Sequence, residues 1–197
     1  MRAALIVIDI QNDYCSPKGK IATMGFHQDV TPVAEMLPKL DSFIKKARKL
    51  GLPVIWTQMT EAEDAVPENL QKKIQEKGDI GLAKKGTWGY QLMLPKDEKD
   101  KIVEKNSYDA FTSKSLEKIL KKTHVDTLVI TGVNTDVCVD STLKSAFSKG
   151  YDIIVPMELV ACPKERAAGH KANLRIWSTI FAKVMPSDEV LSYLTKN

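Results

Sequence analysis

Three side chains of unlike chemistry stand where apolar runs end. Asp9 follows the run Ala3–Ile8, Lys105 follows Lys101–Glu104, and Cys138 lies shortly beyond Thr127–Gly132. A thiol attacks as its thiolate. Cys138 in the first turn of a helix would feel the positive end of the helix dipole, and the Lys105 ammonium would add to that field. Asp9 at the end of an apolar strand would be partly desolvated, a setting for a group that takes and returns a proton. Backbone N–H groups around Cys138 would lack helical partners and could hold an oxyanion. The combined chemistry is attack of a cysteine on a carbonyl. Each residue alone has a plainer reading: Asp9 as a turn carboxylate, Lys105 as a solvated lysine, Cys138 as a small buried hydrophobe. Only their joint arrangement favours catalysis.

The elements that must position them alternate. Ala3–Ile8, Pro53–Thr57, Lys101–Glu104, Thr127–Gly132, Asp152–Val155 and Ala182–Met185 read as strands. Between them lie helical patterns over 31–50, 116–122, about 136–149 and from Pro163 to about Trp177, with Ser187 opening a last helix. Thr31 is placed to cap the first, Pro32 fits its first turn, and Gly51 and Gly150 are stops. Solid apolar strands separated by amphipathic helices predict an α/β fold of three layers, α/β/α and Rossmann-like, around six mostly parallel strands. Ligands bind beyond the carboxyl ends of such strands. Strand order decides whether the three residues meet there, and the sequence leaves that order open. Residues 14–30 and 58–95 break the rhythm and read as long loops that shape a binding site.

The 197 residues are expected to form one domain, 1–197. A net charge of +4 is carried mostly by scattered lysines with acidic neighbours, which excludes a dedicated nucleic-acid surface. No apolar run is long enough to span a membrane, and the N-terminal run is too short for a secretory signal, so a cytoplasmic protein is expected. The odd count of three cysteines, without CxxC spacing, argues against a disulfide framework or a cysteine-rich zinc site. Cys15 and Cys162 are expected to be structural. His27 reads as a surface loop residue, and His124 and His170 as helix-end residues. Tyr14, Phe26, Trp88 and Tyr108 lie in the segments that would ring the site.

Three segments also resemble a known family. Leu5-Ile6-Val7-Ile8-Asp9-Ile10-Gln11-Asn12-Asp13-Tyr14 is similar to the opening motif of the isochorismatase-like cysteine hydrolases. Ile102-Val103-Glu104-Lys105-Asn106-Ser107-Tyr108-Asp109-Ala110-Phe111 resembles their lysine motif. Ile130-Thr131-Gly132-Val133-Asn134-Thr135-Asp136-Val137-Cys138-Val139-Asp140-Ser141-Thr142 resembles their nucleophile motif. The resemblance implies a triad of Asp9, Lys105 and Cys138, an oxyanion hole from the backbone N–H groups of Asn134 and Cys138, and a cis peptide between Val133 and Asn134. It also implies a homodimer or homotetramer. Gln11, Tyr14, Trp88 and Tyr108 are the expected substrate-binding residues. The nicotinamidase branch carries a metal site with Asp and His after strand two; here those positions are Met59 and Glu61, so no metal and no cofactor are expected. Cys138 favours amide hydrolysis over vinyl-ether cleavage, and Gly86-Thr87-Trp88-Gly89 resembles a loop of the metal-free amidohydrolases. The expected substrate is a small carboxamide or ureido compound, with a vinyl-ether hydrolase, a nicotinamidase and a catalytically silent scaffold as alternatives.

Overall fold

A computed structural model describes residues 2–24, 26–60, 66–76, 78 and 81–196. The run Ala3–Ile8 forms β1, buried along nearly its whole length. Its side chains alternate between two cores. Leu5 and Val7 join Trp56, Val129 and Ile154 on one face of the sheet; Ala4, Ile6 and Ile8 join Ile55, Val103, Leu128 and Ile130 on the other. This period of two across a sheet covered on both faces is why the strand reads as a solid apolar run.

The further strands are β2 (Val54–Met59), β3 (Lys101–Lys105), β4 (Thr127–Val133), β5 (Asp152–Pro156), β6 (Val160–Ala161) and β7 (Lys183–Met185). They lie in the order β3-β2-β1-β4-β5-β7, with β6 beside β4, and every pairing between them is parallel. The sheet thus has seven strands among the described residues, one more than expected; the extra two-residue β6 is too short to leave a periodic signal. One helical layer holds α3 (Thr31–Lys49) and α8 (Ser187–Lys196); the other holds α5 (Lys114–Lys122) and α6 (Asp140–Ser148). On α3, Val33, Leu37, Leu40, Phe43, Ile44 and Ala47 are buried, as their helical spacing requires. Its start differs from expectation. Thr31 is the first helical residue, not a side-chain cap, and the Asp29 carboxylate accepts from its N–H at 2.9 Å. Gly51, at φ +78°, ends the helix region in a left-handed turn.

The two long connections also carry structure. Residues 14–30 contain the end of α1 (Asn12–Cys15) and all of α2 (Lys20–Thr23), and 58–95 contains α4 (Glu68–Glu76). Beyond β6 runs α7 (Ala167–Ile176), which buries none of its own residues. No helix among the described residues is long and apolar enough to cross a membrane.

The chain leaves β1 toward β2 and β3 on one side and returns through β4 and β5 on the other. The crevice between the ends of β1 and β4 is therefore the switch point at which parallel sheets bind ligands. Close packing at this point needs glycine. Gly132, at φ +112°, pairs with Ile8, and a β-carbon there would come within 2.2 Å of the Ile8 carbonyl oxygen. Gly132→Ala should destabilise the fold by roughly 3 kcal/mol or more, read as a lower midpoint of denaturant unfolding; an unchanged midpoint would contradict this packing.

Candidate active site

Register places the first two residues. Ile8 pairs with both Thr57 and Gly132, so Asp9 emerges in the crevice itself. Its backbone takes φ 52°, a left-handed turn that Asp tolerates better than most residues. The Thr57 hydroxyl donates to Asp9 Oδ1 at 2.6 Å and accepts from the Asp9 N–H at 3.2 Å, which fixes the carboxylate. Met59 pairs with Lys105 at the end of β3, two strands away from β1. The lysine reaches back past Met59, with its Nζ 3.8 Å from the thioether sulfur. It forms an ion pair with Asp9 Oδ2 at 2.8 Å, the two side chains being 0% and 2% exposed. The ammonium also donates to the Ser107 carbonyl at 3.0 Å and the Tyr108 carbonyl at 3.3 Å. Burial works against its charge, but Asp9 and then Cys138 outweigh burial and hold its pKa above the usual lysine value.

The third residue comes from the far side of the crevice. After β4, the peptide between Val133 and Asn134 is cis. The chain then makes a wide π-helical turn, Thr135–Val139, before α6 begins. Cys138 lies in that turn rather than in the first turn of an α-helix. Its sulfur is buried, within hydrogen-bonding reach of both the Asp9 carboxylate and the Lys105 ammonium. The three residues therefore meet.

The state of the thiol differs from expectation. Burial is the largest influence on it and pushes its pKa up to about 12; Lys105 opposes this and Asp9 adds to it. The helix dipole and the lysine favour the thiolate, but burial and the neighbouring Asp9 act against it. Burial and the neighbouring carboxylate thus favour the protonated thiol. Alkylation of Cys138 by iodoacetamide, corrected with the Cys138→Ala protein, should therefore keep rising with pH through pH 10. A plateau below pH 8 would mean that the thiolate is already formed at rest.

A cavity of about 230 Å³ opens beside the sulfur. Tyr14 and Tyr108 line it, as does Phe26. The structure does not bring Gln11 or Trp88 to it. The Gln11 side chain is buried, with its amide N–H2 donating to the Met59 and Tyr90 carbonyls, both at 3.0 Å. Its carbonyl accepts from the Met59 N–H at 2.8 Å. It clasps the end of β2 to the 88–90 turn. Trp88 is 48% exposed, and its backbone carbonyl accepts from the Asn12 side-chain amide at 2.9 Å and from the Gln91 N–H at 3.1 Å. Among the histidines, His27 is exposed, and His170 meets the Thr135 hydroxyl at 2.9 Å. Cys15 and Cys162 are buried; burial raises both thiols, Cys162 to about 11.

Several residues here were not singled out by sequence. Asp13 is buried and accepts from the backbone N–H of Ala83 at 2.9 Å and of Lys20 at 3.2 Å, pinning both long connections together. Gly89 packs so closely on the Asp13 carboxylate that no β-carbon would fit. From α4, Leu70, Lys73 and Ile74 roof the cavity, and their four-residue spacing was the available signal. Arg166 borders the cavity and forms an ion pair with Asp136 at 3.1 Å, off the line of a good hydrogen bond. Arg166, just before α7, and His170 and Asn173 on α7 together grip the Thr135–Asp136 segment of the nucleophile turn. Met59, the position at which a metal-ligating Asp is absent from the sequence, lines the cavity. Glu61 lies outside the described residues. Among the described residues no group of three or more His, Cys, Asp and Glu side chains is placed to hold a metal ion.

Known proteins resemble this chain in sequence and in fold. The isochorismatase domain profile matches residues 3–189. The chain is 33% identical to the ureidoacrylate amidohydrolase RutB of Methylobacterium radiotolerans over 166 residues; these are 77% of this chain and 64%, somewhat under two thirds, of that relative's length. An isochorismatase family protein from Desulfovibrio vulgaris superposes with a TM-score of 0.82 at 22% identity, covering 98% of each chain. An isochorismatase-like hydrolase from Alkaliphilus metalliredigens superposes with a TM-score of 0.75 at 27% identity, over 98% of this chain and 99% of that one.

Proposed function

Since the chain belongs to the isochorismatase family, we propose that it is a hydrolase of C–N bonds in small carboxamide or ureido compounds, with Cys138 as nucleophile and residues 1–197 acting as one domain. The observation that carries this reading is the meeting of a buried thiol, carboxylate and ammonium at the switch point of the sheet. The 33% identical ureidoacrylate amidohydrolase supports the reaction class.

The cycle follows from the resting charges. As the Cys138 sulfur attacks the substrate carbonyl, its proton passes to Asp9, and negative charge moves from the carboxylate through the sulfur to the carbonyl oxygen. The Lys105 ammonium stays beside the carboxylate and the sulfur, so no new unpaired charge is created in the buried site. The Asn134 and Cys138 N–H groups hold the oxyanion. Asp9 then gives the proton to the departing nitrogen; the C–N bond breaks and ammonia leaves a thioester. Water attacks the thioester, losing its proton to Asp9, and the sulfur recovers that proton as the acid, or the carbamate of a ureido substrate, departs. Every step uses a proton on Asp9 or Cys138, so a thiol that is neutral at rest suits the cycle: its proton is the one the leaving group needs. The direct test is ammonia release from a panel of small amides and ureides, with the acyl-enzyme trapped and its added mass located at Cys138. Release without an adduct on Cys138, under conditions that trap thioesters, would remove the cysteine mechanism.

A further inference from the structure

We infer that His170 is a positioning residue for the nucleophile: through Thr135 it holds the turn that carries Cys138 at its place against Asp9 and Lys105. For turnover this rests on the amidase reading above and adds a residue to it. The turn Thr135–Val139 is gripped from outside by α7, and the grip is polar, since α7 buries none of its own residues. The contacts come at 166, 169, 170 and 173, the spacing of one helix face. Arg166 lies 3.1 Å from Asp136, a contact of charge, since Nε and Nη2 have no hydrogen-bond partner among the described residues. A β-carbon on Gly169 would stand 3.3 Å from Asp136 Oδ2, so the helix lies directly on the turn. The Asn173 amide donates to the Thr135 carbonyl at 3.4 Å. The shortest of these contacts joins His170 Nδ1 to the Thr135 hydroxyl, at 2.9 Å.

Thr135 is fully buried, so its hydroxyl depends on a protein partner. It directly follows Asn134, whose N–H is assigned to the oxyanion, and precedes Cys138 in the same turn. His170 does not line the cavity beside the sulfur, so it acts on the reaction through the turn. Burial holds the imidazole below the usual histidine pKa, although Asp136 opposes this, and a neutral ring can accept the threonine O–H. Loss of the contact frees the sulfur to shift against Asp9 and Lys105 and lets water reach it. Two opposite effects follow. Turnover falls, because a small misplacement of a reacting atom is costly. The thiol loses part of the burial that raises its pKa, so a small alkylating reagent finds more thiolate.

The test compares wild type with His170→Ala, His170→Asn and His170→Gln. Asn carries an amide at the place of Nδ1, Gln at that of Nε2. Alkylation of Cys138 by iodoacetamide is followed at pH 9, corrected with the matching Cys138→Ala proteins, and ammonia release is followed from benzamide and N-carbamoylglycine. His170→Ala should alkylate about tenfold faster, as for a thiol pKa lower by about one unit. Its kcat should fall about 10- to 100-fold, with KM changed by less than about threefold. His170→Asn should restore both rates to within about threefold of wild type, and His170→Gln neither. Thr135→Val should match His170→Ala, with the double variant no worse than either; it carries the comparison if His170→Ala misfolds. Wild-type rates in His170→Ala, or equal rescue by Asn and Gln, would overturn this inference and leave the amidase reading standing. No ammonia from any amide or ureide with the wild type would end the amidase reading, while the alkylation rates, which need no substrate, would still decide this inference.

Discussion

Cys138→Ala should abolish ammonia release, with a fall of about 10⁴-fold or more in kcat, while the protein stays folded. The sulfur occupies a nearly closed site, and a methyl group fits where it stood, so the loss of stability should be small beside the loss of rate. The size of the effect separates three enzymologies on one fold. Where a thiol forms the covalent intermediate, nothing else at the site can replace it. Asp9 and Lys105 would remain, and vinyl-ether cleavage by proton transfer from Asp9 to the terminal vinyl carbon, with water adding to the resulting oxocarbenium ion, would need only those; turnover of such a substrate would survive the substitution. A protein that used this fold purely as a scaffold would show no turnover to lose. Measurement of kcat for wild type and variant on one amide, with circular dichroism as the folding control, decides among them. Equal rates would remove Cys138 from the mechanism.

The second large effect concerns the ion pair. Lys105→Met should lower stability by about 3–5 kcal/mol, because it leaves the Asp9 carboxylate buried with no cation beside it. It should also reduce turnover by at least ~10³-fold, since the charge that passes through Asp9 and the sulfur loses its counter-ion. Asp9→Asn should cost similar stability by stranding the ammonium, and should stop turnover by removing the proton carrier. The double variant distinguishes the two losses. With both charges removed, neither is stranded, and much of the stability should return. Activity should not return. Denaturant unfolding and ammonia release on the four proteins form one cycle. A double variant as unstable as the sum of the singles would show that the cost lies in packing rather than in charge.

The sheet was readable because buried parallel strands announce themselves. Ala3–Ile8 and Thr127–Val133 have no polar side to hide, and each ends at a residue with chemistry beyond it. The order of strands was not readable, since it depends on which crossovers pack against which face. That is why the three reactive residues could be named from sequence, while their meeting could not. Gln11 illustrates a second limit. A glutamine after a strand end resembles a ligand-binding side chain, yet its amide is consumed by backbone groups 48 and 79 residues away. Trp88 fails for the opposite reason: its ring faces outward although its backbone anchors a turn. For the thiol, a local field, the helix dipole, is visible in sequence, whereas the burial that raises its pKa is not. Arg166 and Asp136 stand thirty positions apart, and only the docking of α7 brings them together. The hydrophobic pair Leu70 and Ile74, in contrast, carried a helical spacing within a segment that looked like loop.

The separation of the reactive groups along the chain has a consequence for how this protein comes to life. Position 9 is made well before position 138, and it is harmless until position 138 has been synthesised and strands β1 to β4 lie side by side. A fragment that ends before position 138 cannot misfire on an amide, because it lacks the thiol. Turnover should consequently vanish in step with the burial of Trp56, which lies on β2 paired with Val7 of β1 and is fully buried in the core. Enzymatic rate then serves as a gauge of sheet completeness.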